Sequence, residues 1–293
     1  MNTPVEWHDS YFKSKDRTVL TENETQVPGV QVLAHHQMTK AISPLVEHYH
    51  KDCFEFTFMD EGVFNFHINT HDYRMVGGDI FIAFPNESHS TNFYPLSCGE
   101  IYWFQLNISS PENFLFLEKK AAASLIHRLL NLDMHVYEDN SGKLRSFLKM
   151  AFQLAVNFEN PYLTASYLTL FLNELTHTHP KQRTLSREIY NSLEYIEDHI
   201  YTDISLEYLA HSIGLSESHF KLRFKQEIGM SPRSYINNQK MNIAKDLLLE
   251  GSSKTEVALQ LGFNSSSYFS SVFKKYTCCT PSEFQKKSHS GSF

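Results

Sequence analysis

The sequence predicts an α+β chain. A small β-barrel or sandwich with flanking helices fills the N-terminal half, and an all-helical region built from one unit used twice follows. Three observations carry this. Short apolar or alternating runs, parted by Gly, Pro and Asn turns, occupy residues 30–106. Helical periodicity takes over after Pro111. The C-terminal third then repeats itself.

The strands are expected at Val30–Ala34, Phe54–Met59, Val63–Ile68, Tyr73–Val76, Asp79–Phe84 and Glu100–Leu106. Breaks at 60–62, 69–71, 77–78 and 85–86 separate them, each holding Gly, Pro or Asn. Beyond Pro111, Leu125, Ile126, Leu129 and Leu130 share one helical face. Phe147, Leu148, Ala151, Phe152, Leu154 and Ala155 share another. Asn160-Pro161 interrupts the pattern, and Leu163, Tyr167, Leu170, Phe171, Glu174 and Leu175 resume it. A polar, proline-broken stretch near His179-Pro180 reads as a linker. The expected organisation is therefore a domain at 1–178, a linker at 179–185 and a second domain at 186–293.

In the second domain, caps mark the helix starts. Ser186, Ser205, Ser216, Ser231, Ser253, Ser265 and Thr280 each stand before a helical run. Pro232 and Pro281 sit at first helical positions, and Ser253/Glu256 and Thr280/Glu283 have capping-box spacing. The long helix that starts at Ser231-Pro232 has Tyr235, Ile236, Met241, Ala244 and Leu248 as its candidate inner face. Ala210, Gly214 and Leu215 match Ala258, Gly262 and Phe263 at an offset of 48. Ser216, Phe220, Phe224, Ser231-Pro232 and Tyr235 match Ser265, Phe269, Phe273, Thr280-Pro281 and Phe284 at 49, so the second copy has one inserted residue.

A short helix, a Gly-containing turn and a second helix form a helix-turn-helix, which places its second helix in the DNA major groove. With Phe220 and Phe224 inward, the opposite side of that helix carries Ser218, Lys221, Leu222 and Lys225. With Phe269 and Phe273 inward, the second copy presents Ser266, Ser267, Ser270, Ser271 and Lys274. Lysines suit guanine or phosphate, and Leu222 suits a thymine methyl. Serines discriminate less, so the first helix is expected to choose the sequence and the second to position the backbone.

From Ser186 to Lys287 the chain resembles the DNA-binding domain of the AraC/XylS family of bacterial transcription regulators. Ile243–Leu249, Thr255–Phe263 and Thr280-Pro281 carry the likeness most strongly. Lys240 stands where the family often has Arg, Cys278 where Gly is usual, and Gln285 where Arg is common. The Cys278 departure matters if the turn needs positive φ. Packing, rather than a redox role, is expected of the adjacent Cys278 and Cys279.

In the N-terminal half, His48, His50, Glu55 and Gly62 resemble the first cupin motif, and Gly78–His89 the second. The implied fold is a cupin-like barrel. In cupin enzymes these positions, with His89 as fourth ligand, hold a metal. Ile42 and Glu87 replace glycines usual there. The alternative is that His48, His50, Glu55 and His89 hydrogen-bond a small molecule, with Tyr49 and Trp103, and also Tyr73, Phe84 and Tyr102, as candidate stacking surfaces. No resident metal or other cofactor is expected.

Composition limits the function classes. The net charge is −7, and the acidic excess lies wholly in residues 1–181, with 13 basic and 21 acidic residues; 182–293 hold 13 and 12. DNA affinity must then rest on local charge placement. No apolar run reaches about 18 residues, so no membrane span is expected. The start lacks signal-peptide order and cysteines are few, which predicts a cytoplasmic protein without disulfides.

The expectation is a sequence-specific DNA-binding transcription regulator, not an enzyme. The resemblance implies an activator that answers to a carbohydrate or similar polar inducer, contacts RNA polymerase and dimerises through its N-terminal half. The rival is a metal-dependent cupin enzyme fused to a DNA-binding module. A third reading is an N-terminal domain that binds no small molecule and serves only for dimerisation or partner contact.

Overall fold

A computed structural model describes residues 4–92, 94–178 and 185–289. Of the expected linker, all but Leu185 lies outside them. The chain forms two units. One comprises Met1–Gln37, Leu45–Asn92 and Gly99–Gln182; the other comprises Met38–Pro44, Phe93–Cys98 and Arg183–Phe293. Among the described residues no helix is long and apolar enough to cross a membrane.

The first half of the chain carries β1 (Val5–Glu6), β2 (Phe12–Lys13), β3 (Arg17–Thr21), α1 (Glu22–Thr25), β4 (Val30–Met38), β5 (His48–Tyr49), β6 (Cys53–Ile68), β7 (His71–Val76), β8 (Asp79–Ala83), β9 (His89–Ser90) and β10 (Gly99–Asn107). Then come α2 (Lys119–Leu130), β11 (Val136–Glu138), α3 (Lys143–Val156) and α4 (Pro161–Leu175). The strands join in the order β1-β5-β9-β6-β10-β4-β3-β2, with β7, β8 and β11 branching off, and the sheet curls into a half-barrel.

The two strands expected on either side of Asp60-Glu-Gly62 are one strand, β6. Gly62 adopts φ +117 and the β6–β10 register shifts between Glu100 and Ile101. The chain therefore bends without breaking, as a β-bulge allows. Before the bend β6 pairs with β8 and β10; beyond it, with β7 and β9.

Alternation divides β6 into two faces. Phe54, Phe56 and Phe58, with Tyr102, Phe104 and Leu106 of β10, join the core shared with Leu129, Leu148, Ala151, Leu168 and Phe171 of the helices. Burying one such phenylalanine contributes about 2–3 kcal/mol. Cys53, Glu55 and Thr57, with Trp103 and Gln105, lie on the other face and are also buried.

The expected helix faces need correction. Leu130, Leu163 and Leu170 are about half exposed, at 52%, 47% and 47%. On α4 the buried positions are Thr164, Ala165, Leu168, Phe171, Leu172 and Leu175. With many apolar residues on several sides of the helix, periodicity alone does not select the inner stripe.

The C-terminal unit holds α5 (Arg187–Asp198), α6 (Leu206–Ser212), α7 (Glu217–Ile228), α8 (Pro232–Leu249), α9 (Lys254–Gln260), α10 (Ser266–Thr277) and α11 (Pro281–His289). Ser186, Ser205, Ser216, Ser231, Ser253 and Ser265 are the N-caps of α5 to α10, each accepting a backbone N–H through its hydroxyl. Two hydrophobic clusters result. One gathers Ile189, Ile196, Leu209, Phe220, Phe224 and Ile236; the other gathers Met241, Leu248, Val257, Phe269, Phe273 and Phe284. Helix α8 runs through both, with Ile243 partly buried against each.

Candidate functional site

The two copies place α7 and α10 as second helices behind tight turns. In α7, Phe220 and Phe224 are fully buried and pack edge to face, which turns Ser218, Lys221 and Leu222 outward. Leu222 is 58% exposed, a large apolar group held in solvent on a polar helix face. Lys225 is half-buried beside it. Lys221 pairs with Glu217 one turn earlier. Glu217, Lys221, Leu222 and Lys225 line an open groove with Glu207 and Arg233. No motif marks Arg233; its position at the start of α8 brings it to this face.

In α10, Phe269 and Phe273 are buried, while Ser267, Ser271 and Lys274 are exposed and Ser266 and Ser270 half-buried. The Ser270 hydroxyl donates to the Ser266 carbonyl at 2.7 Å, and the Ser271 hydroxyl to that of Ser267 at 3.1 Å. Their protons are used within the helix, so these hydroxyls face outward as acceptors. The two faces therefore differ in kind: cationic donors and an apolar tip on α7, small hydroxyls and one lysine on α10.

Within the barrel, β5, β6 and β9 converge on a second polar group. His48 of β5 faces His89 of β9 in register, and Ile68 of β6 pairs with His89. One potential ligand atom from each of His48, His50, Glu55 and His89 lies within 4.8 Å of the others, and all four residues are buried. Each histidine places Nδ1 on a backbone carbonyl: His48 on Val46 at 2.7 Å, His50 on Trp7 at 3.1 Å and His89 on Glu87 at 3.1 Å. A carbonyl only accepts, so each Nδ1 carries its hydrogen and each Nε2 is turned to the centre.

Charge within the cluster is unevenly held. Burial opposes the Glu55 carboxylate, but His50 Nε2 at 2.9 Å holds its pKa well below the usual range. Burial likewise opposes the His50 imidazolium, and Glu55 outweighs it and raises its pKa. Burial, then the neighbouring His89, pulls His48 down to about 4. His89 Nε2 is 3.7 Å from Glu55, too far to bond, and is buried without a partner.

These groups fit a divalent transition metal. Three Nε2 atoms and a carboxylate are borderline ligands suited to zinc, iron, nickel or manganese. Bound ligand atoms lie about 3–4 Å apart at metal–ligand lengths near 2.1 Å, so a small inward adjustment completes the set. The Nδ1 hydrogen bonds supply the outer support that metal-ligating histidines have.

Two further members carry no motif. Gln105 Nε2 donates to Glu55 at 3.0 Å and to Asp9 at 3.1 Å. Burial and the charge of Glu55 raise the Asp9 pKa. A glutamine inside the run Ile101–Leu106, whose other members are apolar or aromatic, is the available signal for Gln105, which pairs with Glu55. An open polar pocket shares Asp9 and Gln105 and is also lined by Thr21, Glu22, Asn23 and Gln31.

Of the candidate stacking residues, Trp103 lies on the Glu55 and Gln105 face, with the Arg17 guanidinium 5.6 Å from its ring. Tyr49 follows His48 in a strand, and alternation puts it on the other side. Tyr102 joins the helix-facing core and Phe84 packs against it. Tyr73 packs on Phe81 and His135. The structure therefore groups Trp103, but not these four, with the polar cluster.

Residues 209–287 match the family model described as a helix-turn-helix domain. An uncharacterized HTH-type transcriptional regulator of Pseudoalteromonas carrageenovora is 37% identical over 98 residues, covering 33% of this chain and 58% of that protein. A Staphylococcus aureus protein of the same description is 26% identical over 212 residues, covering 68% of this chain and 28% of that one. The matches thus span less than two thirds of these relatives. Among solved structures, an AraC-type DNA-binding regulator from Chromobacterium violaceum is 26% identical, covering 34% of this chain and 91% of that chain, with a TM-score of 0.32.

Proposed function

We propose that this chain, whose C-terminal unit is a helix-turn-helix DNA-binding domain of the AraC type, is a transcription regulator that reads two successive major grooves and answers to a small polar ligand. The observation that carries the reading is the paired exposure of α7 and α10. Each has its aromatic pair sunk in a separate core and its polar face in solvent. Selection from a randomised duplex pool by the full chain, followed by footprinting, tests it. Enrichment of one sequence protected over two adjacent grooves is expected; no enrichment above the starting pool would end the reading.

The finer reading is activation, through contact with RNA polymerase, in response to a carbohydrate. The polar pocket beside the cluster supports a hydroxylated ligand, since Asp9, Glu22, Gln31 and Gln105 offer acceptors and donors suited to sugar hydroxyls. A thermal-shift panel of sugars tests this, because a ligand of the folded state alone raises the melting temperature. Dimerisation through the N-terminal helices is supported by Leu163 and Leu170 on α4, a separation of seven residues that puts both on one exposed helix face.

A second reading has its own observation: three buried histidines with Nε2 turned inward, one of them without a partner. On this reading His48, His50, Glu55 and His89 hold a divalent metal as the ligand sensed. The ion would supply a fixed positive charge and draw these strands together. The proton that His50 Nε2 shares with Glu55 would be released as an ion bound. Titration of metal-stripped protein with zinc, nickel and manganese tests it. Saturable uptake of one ion with proton release, lost in His48→Ala and Glu55→Gln, is expected; the absence of uptake would remove it.

A further inference from the structure

The DNA-binding unit has two hydrophobic clusters joined through the single helix α8 and Ile243, and contacts beside that helix bear on how its two reading helices stand to each other. Lys240, on α8 between them, is only 6% exposed. Its Nζ donates to the carbonyl of Thr202 at 2.7 Å and to the carbonyl of Leu261 at 2.7 Å. Thr202 belongs to the turn after α5, in the first copy. Leu261 is the C-cap of α9, in the second. One cation thus satisfies backbone acceptors from both copies, at the negative end of α9. The Phe263 ring lies 5.4 Å from the same ammonium and helps shield it.

The same two turns touch directly at Gly262, which has φ +69. A Cβ there would lie 3.0 Å from the Thr202 carbonyl carbon, 3.0 Å from Tyr201 O and 3.2 Å from Asp203 N. The equivalent glycine of the first copy, Gly214, has φ +76 and nothing within 4 Å of a Cβ. The repeat uses glycine twice for backbone conformation, but only once for close approach. That approach is where Lys240 sits.

We propose that Lys240 and the Gly262 contact form a clamp that fixes the separation and phase of α7 and α10, so that the domain recognises one two-groove site and not two independent half-sites. Lys240 is a positioning residue; it touches no DNA. The inference rests on the DNA-reading function proposed above. Without the clamp each copy keeps its own core and reading face, and only α8 with Ile243 still joins them. Successive major grooves on one side of the duplex are about 34 Å apart, so a pair held at that spacing binds the second groove with little further ordering cost.

Two measurements on the full chain test the clamp, one of them without DNA. Spin labels carried by ketone-bearing residues at the exposed positions of Tyr208 and Leu259 report the distance between α6 and α9. A single narrow distribution is expected for the parent and for Lys240→Arg, and a broadened one for Lys240→Met. A narrow distribution in Lys240→Met at the parental melting temperature would overturn the clamp, whatever DNA the chain reads.

The second measurement uses a duplex selected by the parent chain, and the same duplex with one half scrambled. Lys240→Met removes two charge-assisted hydrogen bonds and should lose about tenfold or more on the intact site. On the half-scrambled duplex it should stay near parental affinity. Gly262→Ala should repeat this selective loss, while Gly214→Ala, with the same backbone penalty and open space, should leave the ratio of intact to scrambled binding unchanged. Equal losses on both duplexes for Lys240→Met, or equal ratios for the two glycine variants, would overturn the clamp. A parent chain that enriches no duplex would instead refute the DNA-reading function, and the clamp would then stand or fall on the distance distribution alone.

Discussion

The two helix-turn-helix copies share a scaffold and differ at almost every place where the scaffold touches something else. Both bury an aromatic pair and both open on a serine cap. One faces outward with Lys221, Leu222 and Lys225, the other with serines, two of which, Ser270 and Ser271, have already given their protons to the helix. One helix closes on Gly229 at φ +79, the other on Cys278 at φ +66. One turn glycine stands in open space, the other against a backbone. Internal packing is held in common, and the outward contacts are where the copies have been given different work.

The largest expected effect would break the comparison at its root. Phe224→Ala and Phe273→Ala should each cost about 3–5 kcal/mol by leaving a cavity. Because the cores are separate, hydrogen exchange should quicken first in α5–α7 for the former and in α9–α11 for the latter. Exchange that quickens equally across both copies in either variant would mean one shared core.

Next come the reading faces. Lys221→Ala or Leu222→Ala should weaken binding to a selected duplex by about 1–3 kcal/mol and relax preference at one or two base pairs. Ser267→Ala and Ser271→Ala should each cost under about 0.5 kcal/mol. A base-by-base scan equally intolerant under both helices would reverse the assignment.

Acid sharpens the contrast with the barrel. Burial, then the charge of Arg17, pulls His36 down to about 4. A histidine with a depressed pKa contributes stability that is full above its ordinary value near 6.5 and is lost as pH falls towards 4. Allowing for solvent screening at a half-buried ring, the loss is about 1–2 kcal/mol. Denaturant melts followed by barrel tryptophan fluorescence should show His36→Gln flattening this acid limb; an unchanged limb would remove His36 from the account.

The smallest effect concerns the closing turn. Cys278→Gly should stabilise the second copy by about 1 kcal/mol, because glycine takes positive φ without the steric cost that a side chain meets. An unchanged or lowered melting temperature would show that packing of the Cys278 side chain outweighs the turn.

Much of the fold is legible in the sequence alone. Serine caps announce themselves because a hydroxyl satisfies the free N–H groups of a helix start, and the cap residues of α5 to α10 are readable for that reason. The repeat exposes both reading faces because aromatic residues one turn apart can only point one way into a small core. What the sequence hides depends on partners distant along the chain. Lys240 looks like a substitution for arginine, yet its role needs Thr202 and Leu261, which only the fold brings together. Gln285 looks similar, and it donates to the carbonyls of Leu248 and Ser252. Asp60-Glu-Gly62 reads as a turn, since local composition cannot tell a bulge from a chain reversal. The four polar residues of the barrel stand out as a set through family likeness; the orientation of His48 and His50 comes from the carbonyls of Val46 and Trp7, which no motif contains.

Strand β6 sets an unequal tolerance to changes in length. One face of Cys53–Asp60 carries Glu55 and the other carries Phe56 and Phe58, so adding or deleting a single residue there would send the carboxylate into the aromatic core and the rings into the polar centre. The second helix-turn-helix shows the opposite case. Its extra residue falls between Phe263 and Ser265, where Asn264 is exposed and the Ser265 cap opens to φ −159 to take up the slack. Insertions and deletions recovered from a random library of this gene should therefore survive at the turn before α10 and vanish from the first half of β6.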